Sequence, residues 1–317
     1  MVKISIISPC YNGESHLKPY IEGLLSQTFT NVEYIFVNDG STDRTEDIIN
    51  SYADKFREKG WTYTYIKMDN RGGQAKAINQ GLKIFTGDYL CCTDSDDVIM
   101  PTYLEEMSNF LESNPECGIA FPWSEVIEEG TGKHIRYYKR NIPSHVQDTL
   151  FDDFLLQRNH NENYIFYASF MMRSKAFFEM YPNKKLYEGL SGQNAQLLLP
   201  VLYNYKIGYV PGILYKAIAR KNSDSRLESA RDFINKTYSW EDIYCNVIKT
   251  IPNMPDYEKA YYFAFTKNYW EQEREKSNKP KKIKLSFWEK LFSVKNEYSQ
   301  GKKRKVITIL GIKIKIK

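Results

Sequence analysis

The first 113 residues repeat one pattern four times: an apolar run, a polar loop, and a segment with helical spacing. The runs are Val2 to Ser8, Glu33 to Val37, Thr62 to Lys67 and Tyr89 to Cys92. Short apolar runs rich in β-branched residues are typical of buried strands, and strands that alternate with helices favour a parallel sheet. The chain is therefore predicted to be an α/β protein with a doubly wound sheet.

Polar loops follow three of the four runs. Tyr11 and Asn12 follow the first, Asp39 and Ser41 the second, and Asp94-Ser95-Asp96-Asp97 the fourth. The carboxyl ends of parallel strands lie along one edge, where open α/β sheets bind ligands, so these loops are expected to form one cleft. Carboxylates this close repel one another, and a divalent cation would relieve the repulsion. Taken alone, the carboxylates also fit an acidic turn that caps the next helix.

Four side chains near these loops suit a phosphate-bearing ligand with an aromatic base. Tyr11 could stack on a base, and Asp39 could accept a hydrogen bond from a base N–H group. Arg71 and Lys76 lie where they could form ion pairs with the phosphates of a ligand. Three of them also have an ordinary interpretation: Tyr11 as loop packing, Asp39 as a turn residue and Lys76 as part of a solvated helix face.

Four motifs occur in sequence: Ile-Ser-Pro-Cys-Tyr-Asn, Val-Asn-Asp-Gly-Ser-Thr-Asp, Asn-Arg-Gly-Gly-Gln-Ala-Lys-Ala-Ile-Asn-Gln-Gly and Thr-Asp-Ser-Asp-Asp. Their order and spacing resemble those of glycosyltransferase family 2, and the likeness covers residues 1–125 closely. The resemblance implies a GT-A fold with a mixed sheet, a nucleotide-sugar donor, and Mn²⁺ or Mg²⁺ bound through an Asp-x-Asp motif.

The resemblance also assigns roles to particular residues. The implied nucleotide-sugar pocket consists of Pro9, Tyr11, Asn12, Asp39, Ser41, Gly72, Gly73, Asp94 and Ser95. Lys76 takes a position near the diphosphate, and Asp94 faces the ribose side. Asp96 is the strongest metal-ligand candidate, with Asp94 beside it, whereas Asp97 is expected to support the loop.

The stretch from Tyr187 to Pro200 departs from the family pattern. Most relatives carry a Glu-Asp pair here that supplies the general base, but this chain has Gln193 and Asn194. An amide cannot take up a proton at neutral pH, so neither residue can be the base. Glu188 is the nearest carboxylate and the candidate base, with a plain surface glutamate as the alternative. Gln193 could orient an acceptor hydroxyl instead.

Asp224 is a further metal-ligand candidate. It stands where many relatives have a histidine that binds the metal or the diphosphate, and a flexible polar loop is the alternative interpretation.

Charge is distributed unevenly along the chain. Residues 279–317 hold 13 Lys and Arg against 2 Glu, or +11, whereas the whole chain is +5, so the first 278 residues carry −6. This asymmetry argues against a nucleic-acid binder and favours a tail that associates with an anionic membrane. Residues 286–298 have an apolar face at helical spacing, which predicts an interfacial helix. The last six residues alternate apolar and basic, which predicts a strand. A tail packed on the body, a dimer strand and a nucleic-acid patch are alternatives.

Composition places the protein in a reducing compartment. The five cysteines show no metal-ligand spacing and are interpreted as reduced core residues. The N-terminus enters strand-like sequence without a signal region. We therefore expect a cytoplasmic protein, peripheral at the inner face of the membrane through residues 280–317. The predicted domains are a GT-A domain over 1–225 with a nucleotide-sugar half (1–125) and an acceptor half (126–225), a helical extension (226–276) and a basic amphipathic tail (277–317).

The sequence thus predicts an inverting, metal-dependent glycosyltransferase acting on a glycan or lipid-linked acceptor in the synthesis of cell-surface polysaccharide. Two alternatives stay open. A nucleotidyltransferase would normally show a Gly-rich loop after the first strand, and Pro9 to Asn12 is not such a loop. A catalytically inactive sugar-binding or scaffold protein is suggested by Gln193 and Asn194. The donor sugar, the acceptor and the oligomeric state are not determined by the sequence.

Overall fold

The structure is a computed structural model that describes residues 2–139, 146–147, 151, 155, 165–188, 193–220, 230–278, 292–299, 302–309 and 312–316. For the last three ranges the backbone alone is described. The chain divides into two compact units, residues 1–274 and residues 275–317.

The N-terminal half of the first unit has the predicted alternation of strands and helices. Its strands are β1 (Ile4–Cys10), β2 (Val32–Asn38), β3 (Thr62–Lys67) and β4 (Tyr89–Cys92). Its helices are α1 (Leu17–Leu25), α2 (Thr45–Ser51), α3 (Ala53–Glu58) and α4 (Gln74–Ile84). The four strands run parallel in the order β3–β2–β1–β4, which confirms the predicted sheet. The helical spacing of residues 45–56 predicts one helix, but the structure has two short helices there, α2 and α3.

The C-terminal half of this unit makes the sheet mixed, as the resemblance implied. Its strands are β5 (Val98–Ile99), β6 (Cys117–Glu128), β7 (His134–Tyr138), β8 (Val146–Gln147), β9 (Met171–Arg173) and β10 (Lys206–Ala219). The sheet continues from β4 through β9, β6 and β10 to β5, with β7 beside β6 and β8 beside β10. β9 is antiparallel to both β4 and β6, whereas β10 is parallel to β6. The helices of this half are α5 (Tyr103–Ser113), α6 (Ser174–Met180), α7 (Gln193–Asn204), α8 (Ala230–Thr250) and α9 (Asp256–Asn278).

Two apolar cores cover the two faces of the sheet, because side chains alternate along each strand. In β2, Tyr34 and Phe36 join the core that contains α1 and α5, whereas Ile35 and Val37 join the core that contains α4, α7 and α8. All five cysteines are free and buried, and burial raises the pKa of each thiol. They are core residues, as predicted.

Glu33 on β2 is a buried carboxylate held by a hydrogen-bond network. It accepts hydrogen bonds from the Ser5 hydroxyl at 2.5 Å and from the Thr86 N–H and hydroxyl at 2.8 and 3.0 Å. Lys3 Nζ lies 3.2 Å from it. Burial alone would raise the pKa of Glu33, but the hydrogen bonds and the lysine charge outweigh it and lower that pKa below its ordinary value. The network ties β2 to β1 and to the turn before β4.

The apolar and aromatic composition of residues 163–172 predicts a strand, and this prediction is wrong for most of the described length. Among its described residues, only Met171 and Met172 belong to a strand, and residues 165–170 form a turn and irregular chain. Ser169 N–H bonds to the Phe166 carbonyl, and the Tyr103 hydroxyl donates to the carbonyls of Ser169 and Phe170. These contacts satisfy backbone groups without strand pairing, so the apolar run is buried but not extended.

The second unit has a three-stranded antiparallel sheet. Its strands are β11 (Phe292–Ser299), β12 (Lys302–Ile309) and β13 (Ile312–Ile316), in that order. The C-terminal strand was predicted and is confirmed by β13. The helix predicted over residues 286–298 is wrong from residue 292 on, because those residues pair with β12; residues 286–291 lie outside the described residues. Among the helices of the described chain, every one is too short or too polar to cross a bilayer.

Candidate active site

A cleft of about 500 Å³ lies at the carboxyl ends of the parallel strands. Its lining residues come from the loops after β1, β2 and β4, the N-terminal regions of α4 and α7, and the end of β10: Pro9, Cys10, Tyr11, Asn12, His16, Asp39, Arg71, Gln74, Asp94, Ser95, Asp96, Gln193, Asn194 and Arg220. Parallel topology brings loops that are distant in sequence to this one edge. Among the predicted site residues, the structure brings these together in the cleft: Pro9, Tyr11, Asn12, Asp39, Asp94, Ser95, Asp96, Gln193 and Asn194.

Hydrogen bonds fasten the three strand-end loops to one another. Asn12 N–H donates to the Ser41 hydroxyl at 3.0 Å, and the Asn12 side chain accepts from Thr42 N–H at 2.9 Å. The Ser95 hydroxyl donates to the Pro9 carbonyl at 3.0 Å. Ser41 and Ser95 therefore position the cleft wall.

The acidic loop after β4 brings together three carboxylates. One oxygen each of Asp94, Asp96 and Asp97 lies within 4.8 Å of the others. Burial and the charge of Asp96 raise the pKa of Asp94 to about 7. Burial, followed by the charges of Asp96 and Asp94, raises the pKa of Asp97 well above its ordinary value. The structure therefore concentrates like charge where water is partly excluded.

Asp97 differs from its two neighbours because both of its oxygens are engaged by the protein. It accepts hydrogen bonds from the Tyr215 hydroxyl at 2.8 Å and from Ile218 N–H at 2.9 Å. These bonds connect the acidic loop to β10, in agreement with the supporting role expected for Asp97. Of the three carboxylates of the acidic loop, Asp94 and Asp96 line the cleft.

The donor set fits a hard divalent cation. Mg²⁺ and Mn²⁺ prefer carboxylate oxygens, and a cation would offset the repulsion that raises the pKa of Asp94. Asp96 and Asp94 could hold such an ion from the cleft side. Asp224, the third predicted ligand, lies outside the described residues.

Arg220 forms an ion pair with Asp96 that the sequence did not predict. One guanidinium nitrogen donates to Asp96 Oδ2, and another donates to His16 Nδ1 at 2.6 Å. The Arg220 side chain is 18% exposed and that of Asp96 25%. Burial, then the charge of Arg220, lowers the pKa of His16 and favours the neutral ring that accepts this bond. A cation in the cleft would compete with Arg220 for Asp96.

The cleft also contains an aromatic ring and a second cation. The Arg71 guanidinium lies 4.2 Å from the centre of the Tyr11 ring. Asp39 accepts hydrogen bonds from Gly72 N–H at 2.6 Å and Gly73 N–H at 2.9 Å, so Gly72 and Gly73 contribute through Asp39. Asp39 thereby fixes the turn before α4, in addition to the base-binding role expected of it.

Gly40 lets this turn approach β2 closely. Its φ is +70°, and a Cβ atom there would lie 2.5 Å from the Asn70 carbonyl carbon. A residue with a side chain would therefore be strained and would also clash.

A chain of side-chain amides reaches the acidic loop. Gln193 Nε2 donates to Gln74 Oε1, and Gln74 Nε2 donates to Asp94 Oδ1 at 2.9 Å. The two amides that replace the family's carboxylate pair thus lie in the cleft, where Gln193 helps to orient Asp94 through Gln74. Gln74 and His16 are lining residues that the sequence reasoning missed.

Two predicted site residues lie elsewhere. Lys76 is exposed on α4 and is absent from the cleft lining; Arg71 supplies the nearby positive charge instead. The Glu188 carboxylate lies 3.5 Å from Lys185 Nζ and 3.4 Å from Asn79 Nδ2, and it does not line the cleft. Within the described lining, the carboxylates are Asp39, Asp94 and Asp96.

Comparison with known proteins agrees with this geometry. The family model "Glycosyl transferase family 2" matches residues 5–180. The chain is 30% identical over 236 residues to the glycosyltransferase GlyA of Streptococcus pneumoniae, an alignment that covers 71% of this chain and 32% of GlyA. The chain spans between 22% and 32% of the length of GlyA and of four uncharacterized glycosyltransferases from Rickettsia species.

Two solved structures share the fold. Staphylococcus aureus TarS (residues 1–349), in complex with UDP-GlcNAc, has a TM-score of 0.61 at 21% identity and covers 91% of this chain and 77% of that one. The mannosyltransferase PcManGT of Pyrobaculum calidifontis, in complex with GDP-Man and Mn²⁺, has a TM-score of 0.57 at 13% identity and covers 87% and 72%.

The mixed sheet and the strand-end cleft with its acidic loop define a glycosyltransferase domain of the GT-A type. More particularly, the chain belongs to glycosyl transferase family 2, because the family match covers more than half of its length.

Proposed function

We propose that this chain is an inverting, metal-dependent glycosyltransferase. It moves a sugar from a nucleotide-sugar, for which we propose a UDP-sugar, to a hydroxyl of a glycan or lipid-linked acceptor. One observation carries the proposal: a single cleft combines an aromatic ring and a guanidinium with the acidic loop. A nucleotide-sugar calls for all three, because it carries a base, a diphosphate and a sugar.

The donor fits the cleft in one direction. Tyr11 offers its ring to the base, and Arg71 offers positive charge to the phosphates. The diphosphate then runs toward Asp94 and Asp96, and the sugar lies beyond it. TarS and PcManGT, which share the fold, hold UDP-GlcNAc and GDP-Man respectively.

Asp96, with Asp94 beside it, would hold the cation, and a bound Mn²⁺ or Mg²⁺ would supply a charge that offsets the diphosphate as it leaves. Arg220 would then leave Asp96 and form an ion pair with the anionic ligand in the cleft. Gln74 and Gln193 keep Asp94 oriented throughout.

Glu188 is the candidate for deprotonating the acceptor hydroxyl, since Gln193 and Asn194 cannot accept a proton. In the described arrangement its carboxylate is engaged by Asn79 and Lys185. The assignment therefore requires Glu188 to exchange these partners for the acceptor.

Nucleotide release from a panel of UDP- and GDP-sugars tests the proposal, with Mn²⁺ or with EDTA. We expect release from one donor that is abolished by EDTA and by Asp96→Ala. Full activity of Glu188→Gln would remove Glu188 as the base but leave the reaction class intact. Tight donor binding without release, with or without candidate acceptors, would favour the inactive sugar-binding alternative, for which the cleft amides Gln193 and Asn194 are the specific observation.

We also propose that residues 280–317 bind an anionic membrane surface, which would place the enzyme at the inner face of the cell membrane, near a lipid-linked acceptor. The excess of basic residues in this segment supports the proposal, since each contributes about 1 kcal/mol near such a surface. Sedimentation with phosphatidylglycerol vesicles tests it. Equal sedimentation of the full chain and of a chain lacking residues 280–317 would contradict it.

A further inference from the structure

A second cavity, of about 330 Å³, adjoins the nucleotide cleft at the acidic loop. Asp94 and Asp96 line both. The other lining residues of the second cavity come from the acidic loop, β6, β7, the turn at 166 and the end of β10: Asp97, Val126, Ile135, Arg136, Tyr138, Phe166, Ala217, Ile218 and Ala219. Its size is at the low end of ligand pockets, which begin at about 300 Å³. The two cavities therefore meet where the transferred sugar would lie.

Strand register builds the floor of this second cavity. β7, β6 and β10 lie side by side, and residues directly opposite one another project to the same face. One row across the three strands is Arg136, Val126 and Ala217, and the next row on that face is Tyr138, Ser124 and Tyr215. Val126, Ser124 and Ala217 are smaller than the other three side chains of these rows. They therefore leave space between Arg136, Tyr138 and Tyr215.

Aromatic rings form one wall and connect it to the acidic loop. The Tyr138 and Phe166 rings are 5.5 Å apart edge to face, and the Phe166 and Tyr215 rings are also 5.5 Å apart. The Tyr215 hydroxyl in turn donates to Asp97. The apolar faces of sugar rings pack well against such aromatic surfaces, and the hydrogen bond fixes this wall relative to the acidic loop.

Arg136 on β7 contributes a guanidinium to the lining of the cavity, and β6 separates β7 from β10, to which Asp97 of the acidic loop is hydrogen-bonded. Its side chain is exposed, and within the described part of the chain it has neither a hydrogen bond nor an ion pair. Lys139 on the same hairpin differs, because its ammonium lies over the rings of Trp123 and Tyr137, at 5.9 and 5.3 Å. Two strand spacings, roughly 10 Å, separate β7 from β10, which bonds to Asp97.

The nucleotide occupies the first cleft in the proposed function, so the acceptor hydroxyl must reach the sugar from another side. The second cavity opens onto the same two carboxylates, Asp94 and Asp96, and its other lining residues differ from those of the first cleft. A ligand placed here would have a hydroxyl at the acidic loop, a ring along Tyr138 and Phe166, and its far end at Arg136. A guanidinium at that end favours a carboxylate or a phosphate.

We propose that the second cavity is the acceptor subsite and that the acceptor is an anionic glycan. Its sugar ring packs against Tyr138 and Phe166, and its carboxylate or phosphate is bound by Arg136. This inference rests on the proposed transferase function, since it assigns the acceptor class of the same reaction.

Binding of three small probes tests the inference: methyl glucoside, which is neutral, methyl glucuronide, which carries a carboxylate, and glucose 6-phosphate. Ligand-observed NMR titration uses the full chain with Mg²⁺, with and without UDP. We expect the carboxylate or the phosphate probe to bind about tenfold more tightly than the neutral one, equal to about 1.4 kcal/mol. Which anionic probe binds more tightly identifies the acidic group.

Variants locate the preference. Arg136→Ala should reduce the tenfold preference to about one, Arg136→Lys should keep part of it, and Tyr138→Ala should weaken all three probes alike. Lys139→Ala removes the same charge from the same hairpin and should change nothing. Equal binding of neutral and anionic probes, no binding of any probe, or a preference that survives Arg136→Ala would each overturn the inference.

The two proposals fail in distinguishable ways. UDP binding, measured by calorimetry on each variant, should be unaffected by Arg136→Ala, because Arg136 does not line the nucleotide cleft. If wild type bound neither UDP nor GDP, the proposed transferase function would fail. A loss of UDP binding in Arg136→Ala would instead show that Arg136 acts on the donor and would overturn its acceptor role.

Discussion

Replacing Arg220 with methionine should strengthen metal binding in the absence of nucleotide. In the structure, the Arg220 guanidinium forms an ion pair with Asp96, the carboxylate that we propose as the main metal ligand. A cation must displace this guanidinium and then stays beside its positive charge. Arg220→Met keeps a long apolar side chain while removing both effects.

The size of the effect follows from the exposure of the pair. A hydrogen bond between charged groups contributes about 1.5–3 kcal/mol to a structure, and solvent screening reduces this for exposed pairs. Because the Arg220 and Asp96 side chains are 18% and 25% exposed, we expect about 1–2 kcal/mol. The dissociation constant for Mn²⁺ alone should therefore fall about 5- to 30-fold.

Free Mn²⁺, followed by electron paramagnetic resonance during a titration without nucleotide, gives this constant. Arg44→Met is the matched control, because Arg44 pairs with Glu14 at 2.7 Å and neither residue lines the cleft. Thermal unfolding checks that both variants are folded. Unchanged or weaker Mn²⁺ binding by folded Arg220→Met would refute the competition and would make Arg220 a support of the metal site.

Three further predictions follow from other parts of the structure. Tyr11→Ala should weaken UDP binding by about 1–3 kcal/mol through loss of base stacking, and an unchanged dissociation constant by calorimetry would contradict this role. Glu33→Gln should cost about 2 kcal/mol at pH 7, measured by urea unfolding, whereas Glu22→Gln, on an exposed pair, should cost little. Because the folded pKa of Glu33 lies below its ordinary value, its stabilisation is present above that ordinary pKa and is lost as pH falls through the folded value; a pH-independent difference would contradict the network. Gly40→Ala should destabilise the fold more than Gly130→Ala. Both glycines have positive φ, +70° and +76°, but of the two only a side chain at position 40 would clash with a neighbouring loop. Equal unfolding free energies of the two variants would show that backbone strain alone acts.

Much of the fold could be predicted because its first half repeats one simple pattern. In β1 and β2 almost every residue is buried, so the apolar runs were visible in the sequence. Parallel topology then implied that Tyr11, Asp39 and Asp94 would meet. The cleft confirms this, since all three line it.

Other parts depend on tertiary contacts that no local pattern reveals. The run from 163 to 172 has strand-like composition, but the Tyr103 hydroxyl and local turns satisfy its backbone carbonyls. Phe292 to Ser299 carries both helical and strand-like spacing, and pairing with β12 determines the outcome. Short apolar segments of this kind are ambiguous by periodicity alone.

Within the site, contacts across long sequence separations were the least predictable. Arg220 and Asp96 are 124 positions apart, and Gln193 and Gln74 are 119 apart. Arg220 follows directly after β10, so its position at a strand end was the one available signal. Lys76 was assigned by motif position, but the turn fixed by Asp39 places Arg71 in the cleft lining instead.

The position of Mn²⁺ and UDP in a crystal of the full chain tests the central claim most directly. Anomalous diffraction at the manganese edge locates the ion independently of the refined structure. We predict a peak beside the Asp96 carboxylate and in contact with the diphosphate, with the uracil against Tyr11 and the Arg220 guanidinium displaced from Asp96. A nucleotide bound outside this cleft, or one bound in it with Arg220 still on Asp96 and no manganese peak there, would contradict the account.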